Sequence, residues 1–557
     1  MVLDRLLAAL ERAKVERGPG AGASAGRLLG RLARREMPGA AEAIRLHEAA
    51  LFLAAYPHDT RVKARAESVL RRFDTRVRKL EAGGVAGTAV ATEFSYDIAR
   101  WLARNEAGRV AVSWEVHDLP ERLGTGWPRF LPLLEEEALA DANVPYLEWL
   151  AAGKGRGEGD LNWLLARFAR LPVGERQKAE LFEALGLVVS WDLGRSRYSR
   201  TLLRKPGPAL FFHREPLKTR RDVSFARIFA DPPLPVRRLS RREAERVLGM
   251  ARGGTAARYR EFYGFTHGDP ATGLAASPGR GVEILFFGVE RERRLPLRAT
   301  YTALVFKNAV AVAYYEGLSL LDRMEAGFNV YYTFREGESA WIYGQVLKLC
   351  RQVTGASSFS IDPYQIGHEN DEAIDSGAFW FYSKLGFRPT SPGVARLIAR
   401  EESRIAERPG YRTSPATLRR IATCNLLYDV ANPKSEIRNP KSDWDRFHIR
   451  KIGLAVNRRM AREFGGDAGA IRRASERSVA RKLDVRTERW REAERRVFGD
   501  FALVLELVPD LGQWTAAERT GVVEVIRAKA GRSEMRYLRL SRRHSRLRAA
   551  LIAMGSR

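Results

Sequence analysis

Apolar positions fall into three regimes along this chain. From the N-terminus to about residue 200 they recur at spacings of three and four, the period of an amphipathic helix. Ala41–Tyr56 and Thr60–Leu80 carry that pattern on either side of the break Pro57-His58-Asp59, and Tyr96–Ala103, Trp127–Ala138 and Leu161–Leu171 continue it. Glycine-rich connectors lie at Gly18–Ala25 and Gly153–Gly159, and no fixed repeat period emerges. Residues 1–205 are therefore expected to form a helical N-terminal region.

The second regime begins after a proline-punctuated connector, 206–237, in which Ala209–His213 has strand character. Ser240-Arg-Arg-Glu243 is a capping box and opens a helix that runs to about Phe262. Val282–Val289, Arg298–Lys307 and Val310–Leu318 then alternate or run apolar, as strands do. Phe328–Phe334 reads as a further strand and Arg335–Ser339 as a turn. Ile342, Val346, Leu349, Cys350 and Val353 mark one face of a helix from Ala340 to Val353. A short strand, Ser357–Ile361, and a helix, Asp371–Leu385, stopped by Gly386, complete a βαβα unit with parallel strands.

The third regime is helical again. Val394–Glu407 is followed by a linker, 401–445, holding the tandem heptad Asn432-Pro-Lys-Ser-Glu-Ile-Arg, Asn439-Pro-Lys-Ser-Asp. Two prolines exclude helix and central strand there, so a low-complexity insertion in a surface loop is expected. Phe447–Phe464, Ala468–Leu507 and Ala516–Ala553 read as basic amphipathic helices, giving a C-terminal region 446–557.

Composition narrows the function classes. A hydrophobic content of 45% excludes a disordered chain, and two cysteines exclude a disulfide framework or a cysteine-rich metal site. The N-terminal segment carries charges through its apolar positions, unlike a signal peptide, and no run of apolar residues is long enough to span a membrane. A cytoplasmic location without membrane or metal partners is the expectation. Net charge is +28, and residues 446–557 hold 27 Lys/Arg against 13 Asp/Glu, half of that excess. An electrostatic partner, nucleic acid or an acidic protein, is accordingly expected at 446–557.

Candidate chemistry concentrates between residues 316 and 387. A turn at a helix start aims free N–H groups and the positive end of the helix dipole at an anion, and Arg335 adds charge there. Asp362-Pro-Tyr-Gln-Ile-Gly-His368-Glu369-Asn370 follows a strand at its C-terminal end, where open α/β sheets bind ligands. Asn370 also suits a helix N-cap. Glu316 stands alone as an acid in an aromatic strand. His267 and Asp269 form a smaller polar group, which a Gly-Asp-Pro turn explains in part.

The order of these elements, with Tyr382-Ser-Lys-Leu-Gly386-Phe387 and Ala378 four residues earlier, resembles the acyl-CoA N-acyltransferase (GNAT) superfamily over residues 238–400. The resemblance implies an α+β fold, a mixed β-sheet core flanked by largely α-helical N- and C-terminal regions. Its phosphate loop falls on Phe334, Arg335, Gly337, Ser339 and Ala340 in either of two registers, starting at Phe334 or at Arg335. Asp375 stands where the family has an asparagine, and Asn370 is the nearest one. The implied activity is transfer of an acyl group from acetyl-CoA or another acyl-CoA to an amine. Tyr382 would protonate the leaving thiolate, and Glu316, His368 or Glu369 would act as base. A catalytically degenerate binding or scaffold protein is the alternative.

Overall fold

The computed structural model describes all residues except 1, 78–82, 116–119, 127–128, 131–139, 141–143, 208, 431–442 and 557. The expected helix at Trp127–Ala138 and nearly all of the tandem heptad thus lie outside the described residues. The chain forms two compact units: 1–216 with 242–266 and 306–311, and 217–241 with 267–305 and 312–557.

Unit 1 is mainly helical: α1 (Val2–Ala13), α2 (Ala21–Leu32), α3 (Ala40–Ala55), α4 (Thr60–Arg71), α5 (Tyr96–Asn105), α6 (Tyr146–Gly153), α7 (Asp160–Arg170) and α8 (Glu175–Glu183). The apolar faces read from spacing are buried, as with Leu46, Phe52 and Leu53 of α3. The region is not helical throughout, however. Strands β1 (Ala89–Glu93), β2 (Val110–Val112) and β3 (Val188–Asp192) form an antiparallel sheet in the order β1-β3-β2. These strands are three to five residues long, too short for a period-2 signal to stand out among helices. Ala209–His213 is coil rather than strand, and its residue His213 donates its backbone N–H to Pro57.

Residues 217–266 carry α9 (Phe225–Ala230), in unit 2, and α10 (Arg241–Ala256), nearly all in unit 1. The helix expected to reach Phe262 stops at Ala256, where Tyr259 takes a left-handed conformation (φ 57°).

Unit 2 is built on a mixed nine-stranded sheet. Its strands are β4 (Val236–Arg238), β5 (Leu274–Gly279), β6 (Val282–Gly288), β7 (Ala299–Lys307), β8 (Val310–Leu320), β9 (Arg323–Val330), β10 (Ser358–Ile361), β11 (Arg388–Pro389) and β12 (Leu426–Asp429). They lie in the order β11-β12-β10-β9-β8-β7-β6-β5-β4, the tip of the β7–β8 hairpin belonging to unit 1. The three strands read from alternation are present. β5 was not read from the sequence, and β12 lies inside the expected linker 401–445, pairing antiparallel with β10. The βαβα unit holds with shifted bounds. Its first strand is Arg323–Val330 instead of Phe328–Phe334, and its first helix is α11 (Ser339–Thr354). Its second helix breaks into α12 (Asp371–Asp375) and α13 (Ala378–Ser383), because Gly377 turns left-handed (φ 66°) between them.

The C-terminal helices complete unit 2: α14 (Pro392–Glu407), α15 (Pro415–Ile421), α16 (Ile449–Phe464), α17 (Ala468–Leu483), α18 (Glu492–Leu505), α19 (Ala516–Lys529), α20 (Glu534–Arg543) and α21 (Ser545–Ser556). Several of their arginines are engaged internally. Arg546 pairs with Asp510 and Glu518, and Arg548 with Asp322 and Asp443. Arg542 donates to the carbonyls of Thr354 and Gly355 at the negative end of α11. Gly355 is left-handed (φ 76°), and a Cβ there would collide with that guanidinium. Gly355→Ala is expected to cost about 1–2 kcal/mol, the left-handed penalty plus a displaced cap; a urea titration checks it.

Candidate functional site

The parallel pair β9/β10 stays together for only three residue pairs, Arg323 with Ser358, Met324 with Phe359 and Glu325 with Ser360. β10 ends at Ile361, whereas β9 continues to Val330. The side of Ala326–Val330 that would face β10 therefore has no strand partner among the described residues, leaving a notch in the sheet. Departure of β10 is dictated locally: Asp362 accepts from the Tyr364 N–H (2.9 Å) and Pro363 starts a 3₁₀ turn. Gln365 in that turn lies beside Gly327, its amide 3.8 Å from where a Cβ would stand.

The turn at Arg335–Glu338 leads from β9 into α11. Backbone N–H groups of Ser339, Ala340 and Trp341, the first three helical positions, have no acceptor among the described residues. The flanking acids do not obstruct them equally. Glu338 is fully buried, its carboxylate held by Arg280 and by the Lys218 N–H (3.1 Å). Arg280 and Lys218 also lie over the Trp341 ring, 5.9 and 5.6 Å from its centre. Lys218 and the Arg280–Glu338 pair thus border the helix start, whose N–H groups suit an anion. Arg335 donates to Glu372 of α12 (2.8 Å), tying the turn to the loop that carries His368. Phe334 is wholly buried and Ala340 nearly so, which makes them scaffold for the turn, while Arg335 is exposed.

The remaining expected residues divide by face of the sheet. Glu316, half-buried on β8, stands opposite Gly327 at the notch, and Glu325 stands opposite Leu318 on the same face. Tyr382 lies on the other face. Phe328 stacks on Tyr343 of α11 (4.8 Å), and Tyr343 meets Tyr382 edge-on (5.9 Å). Tyr382 also contacts Phe381 and Phe387, and burial pushes its phenol well above the usual range, so it keeps its proton at neutral pH. The acid candidate and the carboxylates thus occupy opposite faces, and the notch is where the faces meet. His368 and Glu369 are exposed in the loop, Glu369 left-handed (φ 52°). Asn370 caps α12, accepting from Ala373 and donating to the Tyr364 carbonyl. Asp269 caps the 3₁₀ turn after it, and the neighbouring His267 carbonyl accepts from Glu290.

Sequence reasoning missed a polar pocket beside the notch. A cavity of about 30 Å³ is lined by Arg298, Arg323, Glu325, Asp362 and His448, among others. Arg323 and Glu325 alternate with apolar Met324 and Ala326, a period-2 signal just before the strand expected at Phe328–Phe334. Burial raises the Glu325 carboxyl, opposed by Arg298 at 3.8 Å. A carboxyl raised in the folded state contributes stability that is present below the ordinary glutamate value of about 4.3 and lost as pH rises through the raised value. His448, pushed down by burial, acts in the opposite sense. The difference between the protein and Glu325→Gln isolates the carboxyl. The variant's urea midpoint is expected to gain on the parent's as pH climbs above that value.

Among the described residues no group of three or more His, Cys, Asp or Glu is arranged to hold a metal, and no helix is long and apolar enough to cross a membrane. Comparison with protein-family models, curated proteins and solved structures gives no match for this chain.

Proposed function

We propose that unit 2 is an acyl-CoA-dependent N-acyltransferase. The observation that carries this reading is the notch: two parallel strands part after three residue pairs, beside a helix start with unsatisfied N–H groups. An elongated thioester ligand needs such an arrangement. Its pyrophosphate takes the N–H groups of Ser339, Ala340 and Trp341, with Lys218 adding positive charge. Its acyl arm enters the notch alongside Ala326–Val330, whose open edge offers backbone hydrogen bonds.

The chemistry follows from which groups border the notch. An amine attacks the thioester carbonyl, the C–N bond forms, and the C–S bond breaks. Glu316, or Glu325 with its raised pKa, takes the ammonium proton on one face. Tyr382 returns a proton to the thiolate from the other. His368 and Glu369, being exposed, fit recognition of the acceptor better than proton transfer in a shielded site.

Ser339→Asp tests the phosphate end without harming the fold. An acid at the first helical position favours the helix dipole, so thermal stability is expected to hold or rise slightly. The same carboxylate repels a pyrophosphate, and calorimetry should read at least about a tenfold loss of acetyl-CoA affinity, ~1.4 kcal/mol. Equal affinity in both proteins would remove the assignment of this turn.

A further inference from the structure

Unit 1 contains a larger cavity, of about 660 Å³, within the range of ordinary small-molecule sites. Its wall is formed by α5, the segment 197–206 and α10, all within unit 1. Four cations line it, Arg197, Arg204, Lys205 and Arg246, against two carboxylates, Glu243 and Glu245. Lys205 and Glu243 are 3.9 Å apart. Arg204 and Arg246 have no carboxylate within salt-bridge distance among the described residues. The Arg204 guanidinium donates to the Leu203 carbonyl (2.9 Å). Burial pushes its guanidinium down to about 10, a cost that a bound anion would offset.

The opposite wall is aromatic. Trp101 meets Tyr198 edge-on, ring centres 5.0 Å apart, and Arg197 lies over the Tyr198 ring while donating to its hydroxyl (2.8 Å). Gly249 of α10 lies beneath this pair, the place of its missing Cβ 3.6 Å from Trp101. The Trp101 indole N–H has no acceptor among the described residues.

We propose that this cavity binds a phosphorylated nucleoside. A bare phosphate would satisfy the arginines and leave the Trp101–Tyr198 wall uncovered. A nucleotide presents phosphate oxygens to Arg204 and Arg246 and a planar base to Trp101. This site is separate from the acyl-CoA reading of unit 2 and does not depend on it.

Calorimetry with AMP, ADP, ATP, adenosine and pyrophosphate on the full chain tests the proposal. Saturable binding of at least one nucleotide is expected, at least tenfold tighter than pyrophosphate or adenosine. Arg246→Gln, at an exposed position that folding tolerates, should weaken it at least fivefold, as should Trp101→Leu. Ser339→Asp, which alters only unit 2, should leave it unchanged. No binding up to 1 mM, pyrophosphate binding as tightly as the nucleotides, or affinity unaltered in both Arg246→Gln and Trp101→Leu would each overturn it.

Discussion

Glu534→Ala is expected to destabilise unit 2 by about 3–5 kcal/mol, the largest effect of any single substitution considered, because it leaves buried cations without their anion. Lys529 and Glu534 are paired with side chains 1% and 3% exposed, and Arg294, 5% exposed, approaches the same carboxylate at 3.7 Å. Lys529 further donates to the Arg298 carbonyl (2.8 Å), and Arg294 to the carbonyls of Lys529, Gly531 and Arg532. The group joins α19 and α20 to the strand-entry loop before β7, and Tyr537 reinforces it by donating to Leu297 (2.6 Å). Burial already pushes the Lys529 ammonium down from its ordinary value, so removing the carboxylate drives it toward the neutral form. Adding Lys529→Met to Glu534→Ala should recover part of the loss, since an apolar pair needs no counter-charge. Denaturation by urea followed by circular dichroism measures both. A loss below about 1 kcal/mol would mean that the C-terminal helices are not part of this core.

Tyr382→Phe is the second large effect, on rate rather than stability. The ring keeps its contacts with Tyr343, Phe381 and Phe387, and only the hydroxyl is removed. Loss of a general acid lowers turnover by about 100-fold or more. Affinity for acetyl-CoA is expected to stay within about twofold, because the turn proposed to hold the pyrophosphate lies elsewhere. Steady-state release of free thiol from acetyl-CoA with a panel of amines reads kcat and KM separately. A variant with unchanged kcat would make Tyr382 a core aromatic and nothing more.

These two residues mark what was legible in the sequence and what was not. The strands of the sheet's centre and the helix α11 were readable because each has a clear period, as in Val282–Gly288 and in Ile342, Val346 and Leu349. β12 was not readable, since four residues, Leu426–Asp429, become a strand only by pairing with β10. Arg280 escaped notice for a similar reason. It sits left-handed (φ 52°) in a hairpin turn, and its role follows from meeting Glu338, 58 residues away. Glu338 is its internal counter-ion, a role that no local spacing reveals. Within 446–557, where an electrostatic partner is expected, Arg542, Arg546 and Arg548 bind carbonyls and carboxylates of unit 2. Spacing tells that a residue lies on a helix face; it does not tell what that face meets.

The central claim is that acyl-CoA binds at the start of α11 beside the notch. Amide hydrogen exchange read by mass spectrometry, with and without acetyl-CoA, addresses it directly. Slowed exchange is expected in peptides covering 326–342, which hold the open strand edge and the first N–H groups of α11, and no such slowing in Ser339→Asp. Unchanged exchange there at saturating acetyl-CoA, or protection confined to 197–206 and 243–250, would contradict it.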